Sequence, residues 1–226
     1  MREFIGESLG TFILTLFGCG SVAVAVLFGE YTSIFQIAIV WGLAVALAIY
    51  VTRHLCPAHL NPAVSVSMAL GKRMPYGKLP SYLLAQFIGA FLAGGVLLLL
   101  FNPSMEAYEL AHGIERGTAA SVDTARMFGE FYPNPGDALV STVSLPLAIA
   151  AEAVGTFVLV LFIFCFTEDC NVGRPDSNIA PLFIGLTVSI CITLIAPLTQ
   201  AGFNPAGDNS RTPRSRSFVF STTISF

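Results

Sequence analysis

Two copies of the tripeptide Asn-Pro-Ala are the residues of this chain whose types and spacing best suggest a chemical role. They occupy Asn61-Pro62-Ala63 and Asn204-Pro205-Ala206, an offset of 143 residues. Asparagine is a favourable N-cap and proline suits the first turn of a helix, so each copy predicts a short helix that begins at its asparagine. The asparagine amide can also donate hydrogen bonds to the oxygen of water or of a hydroxyl group.

Two glutamates and two glycines recur at nearly the same offset. The hexapeptide Glu-Ser-Leu-Gly-Thr-Phe that begins at Glu7 returns as Glu-Ala-Val-Gly-Thr-Phe at Glu152, 145 residues later. Gly42 and Gly185 each precede the asparagine of the following tripeptide by 19 residues. Three matched landmarks at one approximate offset indicate an internal repeat.

The composition excludes several classes of function. Only 11% of the residues are charged and the mean hydropathy is +0.75, whereas a soluble domain carries about 25% charged residues. The five cysteines have no metal-ligand spacing, and no nucleophile lies paired with a base. The acids inside apolar runs are Glu7 and Glu152. We therefore expect no enzyme, metal, cofactor or nucleic-acid partner, and the pattern disfavours ion-coupled transport.

Apolar runs divide the chain into membrane spans, each of about 20 residues as a bilayer requires. Five runs qualify, at 8–28, 34–52, 80–101, 145–167 and 179–200. A shorter run at 60–70 predicts a re-entrant half-helix or a buried loop. The predicted organisation is a first repeat at 1–101, an outer connecting loop at 102–144, an incomplete second repeat at 145–206 and a polar tail at 207–226.

A repeat unit with an odd number of spans must insert upside down the second time, which places the functional site near the bilayer midplane. Two half-helices would then direct their positive N-terminal ends at one point from opposite sides, a field that repels protons and cations. The alternative is two ordinary loop turns. The positive-inside rule predicts a cytoplasmic N-terminus from the basic residues that flank the spans, namely Arg2, Lys72, Arg73, Lys78 and Arg174.

These motifs resemble those of the aquaporin superfamily, and of its glycerol facilitators more than of its strict water channels. The resemblance rests on both tripeptides, on the longer run Ala58–Val64, on Tyr132-Pro133-Asn134-Pro135, on Ala180-Pro181-Leu182 and on Asp208. It implies an all-α membrane protein with two re-entrant half-helices, assembled as a homotetramer in the lipid bilayer of the plasma (inner) membrane. The implied function is passive permeation of glycerol, other small neutral solutes and water.

The resemblance also implies roles for residues around the tripeptides. Glu7 and Glu152 would each accept backbone hydrogen bonds from a re-entrant loop, although an acid at lipid depth can instead snorkel to the interface. His59 would hydrogen-bond its loop and bind no metal.

A second group of residues would form the outer constriction. Trp41 would offer an apolar face to the carbon chain of glycerol, the alternative being a lipid-facing aromatic. Ala201 and Ile192 match the other constriction positions, and a small residue at 201 favours a wider opening than water requires.

The pattern breaks after the second tripeptide. The family places an arginine where this chain has Gly207, and the family continues into a sixth span. Here the sequence after Ile195 contains no further spanning run, so five spans are expected and a sixth is missing. The polar tail is typical of a shifted reading frame or is a genuine degenerate end. The alternatives for function are a non-conducting, truncated homologue or interaction subunit, and a water-selective channel.

Overall fold

A computed structural model describes residues 1–135 and 142–207. Seven α-helices follow one another in these residues, and no strand occurs among them: α1 Arg2–Phe28, α2 Ile34–Thr52, α3 Pro62–Leu70, α4 Leu79–His112, α5 Val122–Ala125, α6 Leu145–Thr167 and α7 Ala180–Thr199. Single 3₁₀ turns at Tyr76–Lys78 and Ala119–Ser121 precede α4 and α5.

Five of these helices, α1, α2, α4, α6 and α7, are long and apolar enough to cross a bilayer. This confirms the five predicted spans and the all-α membrane fold. Large apolar side chains such as Phe17, Phe91 and Phe157 are more than half exposed, as lipid-facing side chains are. Helix α7 is the most enclosed of the five and α6 the least.

Local sequence explains where several helices begin and end. Gly29 ends α1 in the left-handed conformation, at φ 67°. A capping box begins α2, because Ser33 accepts from the backbone of the first turn and Gln36 accepts from the Ser33 N–H. Gly113 ends α4, again in the left-handed conformation. Ser144 caps α6 through its side chain.

Helix α3 is the predicted half-helix. Asn61 is its N-cap and Pro62 its first residue, and the Asn61 side chain accepts from the backbone N–H groups of Ala63 and Val64. Nine residues make a helix of about 13 Å, roughly half the hydrocarbon thickness of a bilayer. The chain therefore enters on one side and returns to it.

Glycines allow the spanning helices to approach closely. A Cβ on Gly89 of α4 would lie closer than 3.0 Å to the backbone of Ser8 in α1. Gly42 of α2 and Gly185 of α7 face one another reciprocally, since a Cβ on either would overlap the carbonyl oxygen of the other. Small residues let helix backbones come together in this way in membranes. The two glycines hold matching positions in the repeat, and their mutual contact is what a two-fold relation between the halves requires.

Helix α4 extends well beyond the predicted end of the third span. The predicted span ended at 101 and the predicted outer loop began at 102, because the apolar run ends there. Pro103 lies inside the helix and cannot donate a helical hydrogen bond. The helix nevertheless continues to His112. Buried Glu109 stabilises the extension by accepting from Arg116 Nε at 2.7 Å and from Thr124 Oγ1 at 2.8 Å.

The second tripeptide forms a turn over residues 205–207 in the described part of the chain. Asp208 and the rest of the 208–226 tail lie outside the described residues, as do residues 136–141 of the outer connection. Helix α1 begins at Arg2, six residues before the predicted start of the first span.

The Gly42–Gly185 contact generates a test of the helix packing. Gly185→Leu should lower the free energy of unfolding in detergent by about 1–3 kcal/mol or more, because the added side chain meets a backbone carbonyl that cannot yield. Gly95→Leu is the matched control, since nothing lies within 4 Å of a Cβ at that position. Chemical unfolding followed by circular dichroism measures both. Equal stability of the two variants would contradict the crossing described here.

Candidate functional site

The two re-entrant loops meet and are joined by reciprocal hydrogen bonds. Asn61 Nδ2 donates to the carbonyl oxygen of Phe203 at 2.9 Å. Asn204 Nδ2 donates to the carbonyl oxygen of Leu60 at 2.9 Å. Each asparagine of one tripeptide thus holds the residue that precedes the other asparagine. The structure brings together two motifs that lie 143 residues apart in sequence.

The orientation of both asparagine amides is set by their own loops. Asn61 Oδ1 accepts from Ala63 N at 2.8 Å, and Asn204 Oδ1 accepts from Ala206 N at 3.1 Å. An amide nitrogen carries two N–H groups, and the contact between the loops uses one of them on each side. The second N–H of each asparagine makes no hydrogen bond to another described residue.

A buried carboxylate supports the first loop. Glu7, which is fully buried, accepts from His59 N at 2.8 Å and from Leu60 N at 2.7 Å. Gln86 Nε2 donates to the same carboxylate at 2.8 Å. The His59 ring contacts the half-helix, because its Nδ1 lies 3.2 Å from Ser65 Oγ.

Glu152 occupies the matching place under the second loop. It accepts from Gly202 N at 3.0 Å and from the hydroxyl of Thr199. The glycine three residues after each glutamate makes room for the loop. A Cβ on Gly10 would overlap Leu60, and a Cβ on Gly155 would overlap Phe203. The recurring spacing of glutamate and glycine in the sequence is therefore a loop-packing signal.

Both loops contain non-glycine residues in the left-handed conformation. Ala58 and Leu60 have φ of 55° and 53°, and Gln200 and Ala201 have φ of 62° and 68°. Such residues are strained and persist only where the surroundings hold them. The two carboxylates and the contact between the asparagines supply that restraint, so the loops are rigid at the point where they meet.

A cavity of about 680 Å³ runs past the two asparagines. Its lining includes all the predicted constriction residues and the substituted position, namely Trp41, Ile192, Ala201 and Gly207. Trp41 and Ile192 also line a smaller cavity of about 220 Å³. They therefore form part of the wall of both cavities. The other four residues of the two tripeptides are not part of the 680 Å³ lining: Pro62 and Ala63 are in the first turn of α3, and Pro205 and Ala206 are in the turn after Asn204.

Sequence reasoning missed two polar residues at this place. Glu130 lines both cavities, and so does Gln200. Gln200 Oε1 accepts from Phe131 N at 2.8 Å and so ties the outer connection to the second loop. Asn134 strengthens the tie, because its Nδ2 donates to Ala196 O at 2.8 Å.

The arrangement suits passive passage rather than bond chemistry. Within residues 1–135 and 142–207, no group of three His, Cys, Asp or Glu side chains is placed to hold a metal ion. The carboxylates of Glu7 and Glu152 are engaged with backbone N–H groups. The groups that face the cavity beside the asparagines are mostly aliphatic side chains.

The sequence of the whole site matches one protein family. A family model described as Major intrinsic protein matches residues 1–212. The chain belongs to the major intrinsic protein family. Members of this family are membrane channels and not enzymes, which confirms both the resemblance and the exclusion of catalysis drawn from the sequence.

Individual relatives agree with the family assignment. The chain is 38% identical over 204 residues to a glycerol uptake facilitator protein of Haemophilus influenzae, covering 90% of this chain and 74% of the relative. It is 37% identical over 208 residues to a propanediol uptake facilitator of Citrobacter freundii, covering 91% and 74%. The solved structure of the aquaglyceroporin from Plasmodium falciparum superposes with a TM-score of 0.77 at 27% identity, over 92% of this chain and 77% of that one.

The support of the first loop by Glu7 can be tested by a substitution that keeps the shape of the Glu7 side chain. Glu7→Gln should lower the free energy of unfolding by about 1.5–3 kcal/mol, because an amide replaces a charged acceptor of three buried donors. Glu3→Gln is the control, since Glu3 pairs with Lys78 at the surface. Unfolding in detergent compares them. If Glu7→Gln were no less stable than Glu3→Gln, the loop would have to be held by other contacts.

Proposed function

We propose that this fold serves the passive, bidirectional diffusion of glycerol and other small neutral solutes, together with water. The observation that carries the proposal is the pair of reciprocal hydrogen bonds between Asn61 and Asn204 and the opposing loops, beside a continuous cavity. The printed names of the relatives, facilitators of glycerol and of propanediol uptake, support the same solute class.

The lining suits a polyol. Aliphatic side chains such as Leu14, Val64 and Leu159 form much of the wall. The asparagine amides and the irregular backbone of the two loops form a polar strip against it. A polyol can place its hydroxyl groups on the polar strip and its carbon chain on the apolar wall. We assign Trp41 the apolar contact at the outer constriction.

Small residues at the outer end favour a solute wider than water. Ala201 has a methyl side chain and Gly207 has none, and both line the cavity. A Cβ at 207 would have Asn204 O, at 3.5 Å, as its nearest neighbour. The free space at this level supports glycerol over a water-selective channel, which is the second alternative.

A neutral solute is favoured over a proton or a cation. The positive end of the α3 helix dipole lies at Asn61, where it opposes cation passage. Glu7 and Glu152 support the loops, and Glu130, which lines the cavity, also has an interaction partner, so none of the three is a free carboxylate in the path. We further propose the plasma (inner) membrane as location, a cytoplasmic N-terminus and a homotetramer, on the residues and the resemblance given above.

A non-conducting role is the alternative that a specific observation favours. Position 207 lacks the guanidinium that the family resemblance leads one to expect. A further cavity of about 520 Å³ lies between α6, the start of α3 and the second loop. Without a helix against this side, backbone of the second loop would face lipid, at a cost of several kcal/mol for each unsatisfied group.

Solute choice can be tested in an extended chain. Residues 1–207, carrying Gly207→Arg, would be fused to the C-terminal quarter of a glycerol facilitator, which replaces residues 208–226. This extended chain would then be placed in liposomes. Light scattering should then show glycerol-driven reswelling well above that of protein-free vesicles. The same chain with Asn61→Leu is the control for leakage. Fast water flux with no glycerol flux would refute the solute assignment.

The polypeptide of residues 1–226 alone should be a poor channel. Its residues 208–226 carry Arg211, Arg214 and Arg216, and burial of an arginine at mid-bilayer costs about 2.5–3.5 kcal/mol on insertion scales. This segment is therefore unsuited to cover the open side of the bundle. At equal protein content, glycerol flux should stay near the empty-vesicle baseline. Robust conduction would show that the tail or a second copy completes the wall.

A further inference from the structure

We propose that Arg73 is a positioning residue that fixes the free end of the half-helix α3 against α6 and so sets the width of the inner half of the pore. The proposal rests on the channel function proposed above, but its first test does not require conduction. In the sequence, Arg73 is only one of the basic residues that predict the topology. In the structure, the contacts of Arg73 connect the two halves of the repeat.

The Arg73 guanidinium makes three contacts with the end of α6. Nη1 donates to Thr167 Oγ1 at 2.8 Å, and Nη2 pairs with the carboxylate of Glu168. The guanidinium carbon lies 4.4 Å from the centroid of the Phe164 ring. A planar guanidinium can donate from its edge and stack through its face at once, which an ammonium group cannot do. The side chain is only 26% exposed, so solvent screens these contacts incompletely.

Both partners of the contact are anchored to their own helices. Arg73 N donates to Met68 O at 2.9 Å, which makes Arg73 part of the turn that closes α3. Thr167 Oγ1 donates to Ile163 O at 2.7 Å within α6. Gly71 adds a steric requirement, because a Cβ there would lie 2.8 Å from the Phe164 ring. The contact therefore joins the end of α3 to the end of α6, and not two flexible loops.

The seam between these helices forms part of the pore wall. Val64 and Met68 of α3 and Leu159 and Ile163 of α6 all line the main cavity, and Arg73 lines it at the inner end. The start of α3 is already held by the Asn61 and Glu7 contacts. A rigid segment of about 13 Å held at one end can still tilt at the other. Arg73 holds that second end, so it governs the separation of the two cavity walls.

Neighbouring charges do not duplicate this role. Arg174 pairs with Asp169 in the loop that follows α6, and its hydrogen bond lowers the pKa of the Asp169 carboxyl below the ordinary value. Arg53 donates to Ser177 O at 3.0 Å and ties the end of α2 to the same loop. No hydrogen bond among the described residues joins either pair to α3. Lys78 pairs with Glu3 at the surface away from the cavity and offers a matched control.

The first experiment measures helix separation in the full chain. Spin labels on Leu70→Cys in α3 and Phe162→Cys in α6, with the exposed Cys165 and Cys170 replaced by serine, report the distance across the seam in liposomes. Arg73→Ala should broaden the distance distribution and shift it outward, while Lys78→Ala should leave it unchanged. The double exchange Arg73→Glu with Glu168→Arg should restore the narrow distribution. An unchanged distribution in Arg73→Ala, or no recovery in the exchange, would overturn the proposal.

The second experiment measures the selectivity of the pore for solute size, in the extended chain described above. The ratio of glycerol to sorbitol permeability should fall by about tenfold in Arg73→Ala, the change that corresponds to about 1.4 kcal/mol, and recover in the exchange variant. Arg73→Lys should keep only part of the glycerol-to-sorbitol ratio, because an ammonium group cannot donate to Thr167 and Glu168 in the planar geometry of a guanidinium. Loss of all flux in the unsubstituted extended chain would reject the proposed function while leaving the distance test intact. If the Arg73→Ala chain does not fold, folding of the double variant Arg73→Glu with Glu168→Arg becomes the test. A double variant that also fails to fold would contradict the proposed role of the ion pair.

Discussion

The carboxylate of Glu7 is the group on which the arrangement of the first loop depends. Irregular backbone within a bilayer has no water to satisfy its N–H groups, so it needs acceptors from the protein. Glu7 accepts from two successive backbone N–H groups, those of His59 and Leu60, and is fully buried on α1. Because α1 fixes the carboxylate, the carboxylate fixes the loop. Only with Leu60 held in this way does its carbonyl oxygen meet the amide of Asn204.

The second loop follows the same plan with different side chains, and this relates the fold to the function. Glu152 accepts from Gly202 N as Glu7 accepts from His59 N, and Gly155 makes room for Phe203 as Gly10 makes room for Leu60. The two halves are joined at their glycines in the centre of the α2–α7 crossing and at their asparagines beside the cavity. Under the proposed function, the asparagines that hold the loops together are also the groups that a solute would meet. A substitution that loosens the loops would then alter both the stability and the path of the solute.

Sequence patterns predicted the elements whose causes are local. Spanning length and hydropathy located five helices, the Asn-Pro pair located the start of α3, and the repeat located Glu7 and Glu152. The extension of α4 past Pro103 was missed because it depends on Glu109, whose partners Arg116 and Thr124 come from the outer connection. The positions of Glu130 and Gln200 beside the cavity likewise follow from contacts across many residues. No local pattern encodes such contacts, and only packing reveals them.

In the described residues, the two sides of the proposed pore differ in their helix dipoles and charges. On the side of α3, nine helical residues align their peptide dipoles, which places about half a positive charge at Asn61. On the other side, the described chain continues from Asn204 only as a turn, and the residue at 207 brings neither charge nor side-chain donor. Within the described residues, α3 is therefore the element that directs a helix dipole at the meeting point of the loops. Under the proposed function, the contacts at both ends of α3, those of Glu7 and of Arg73, would hold this dipole in place.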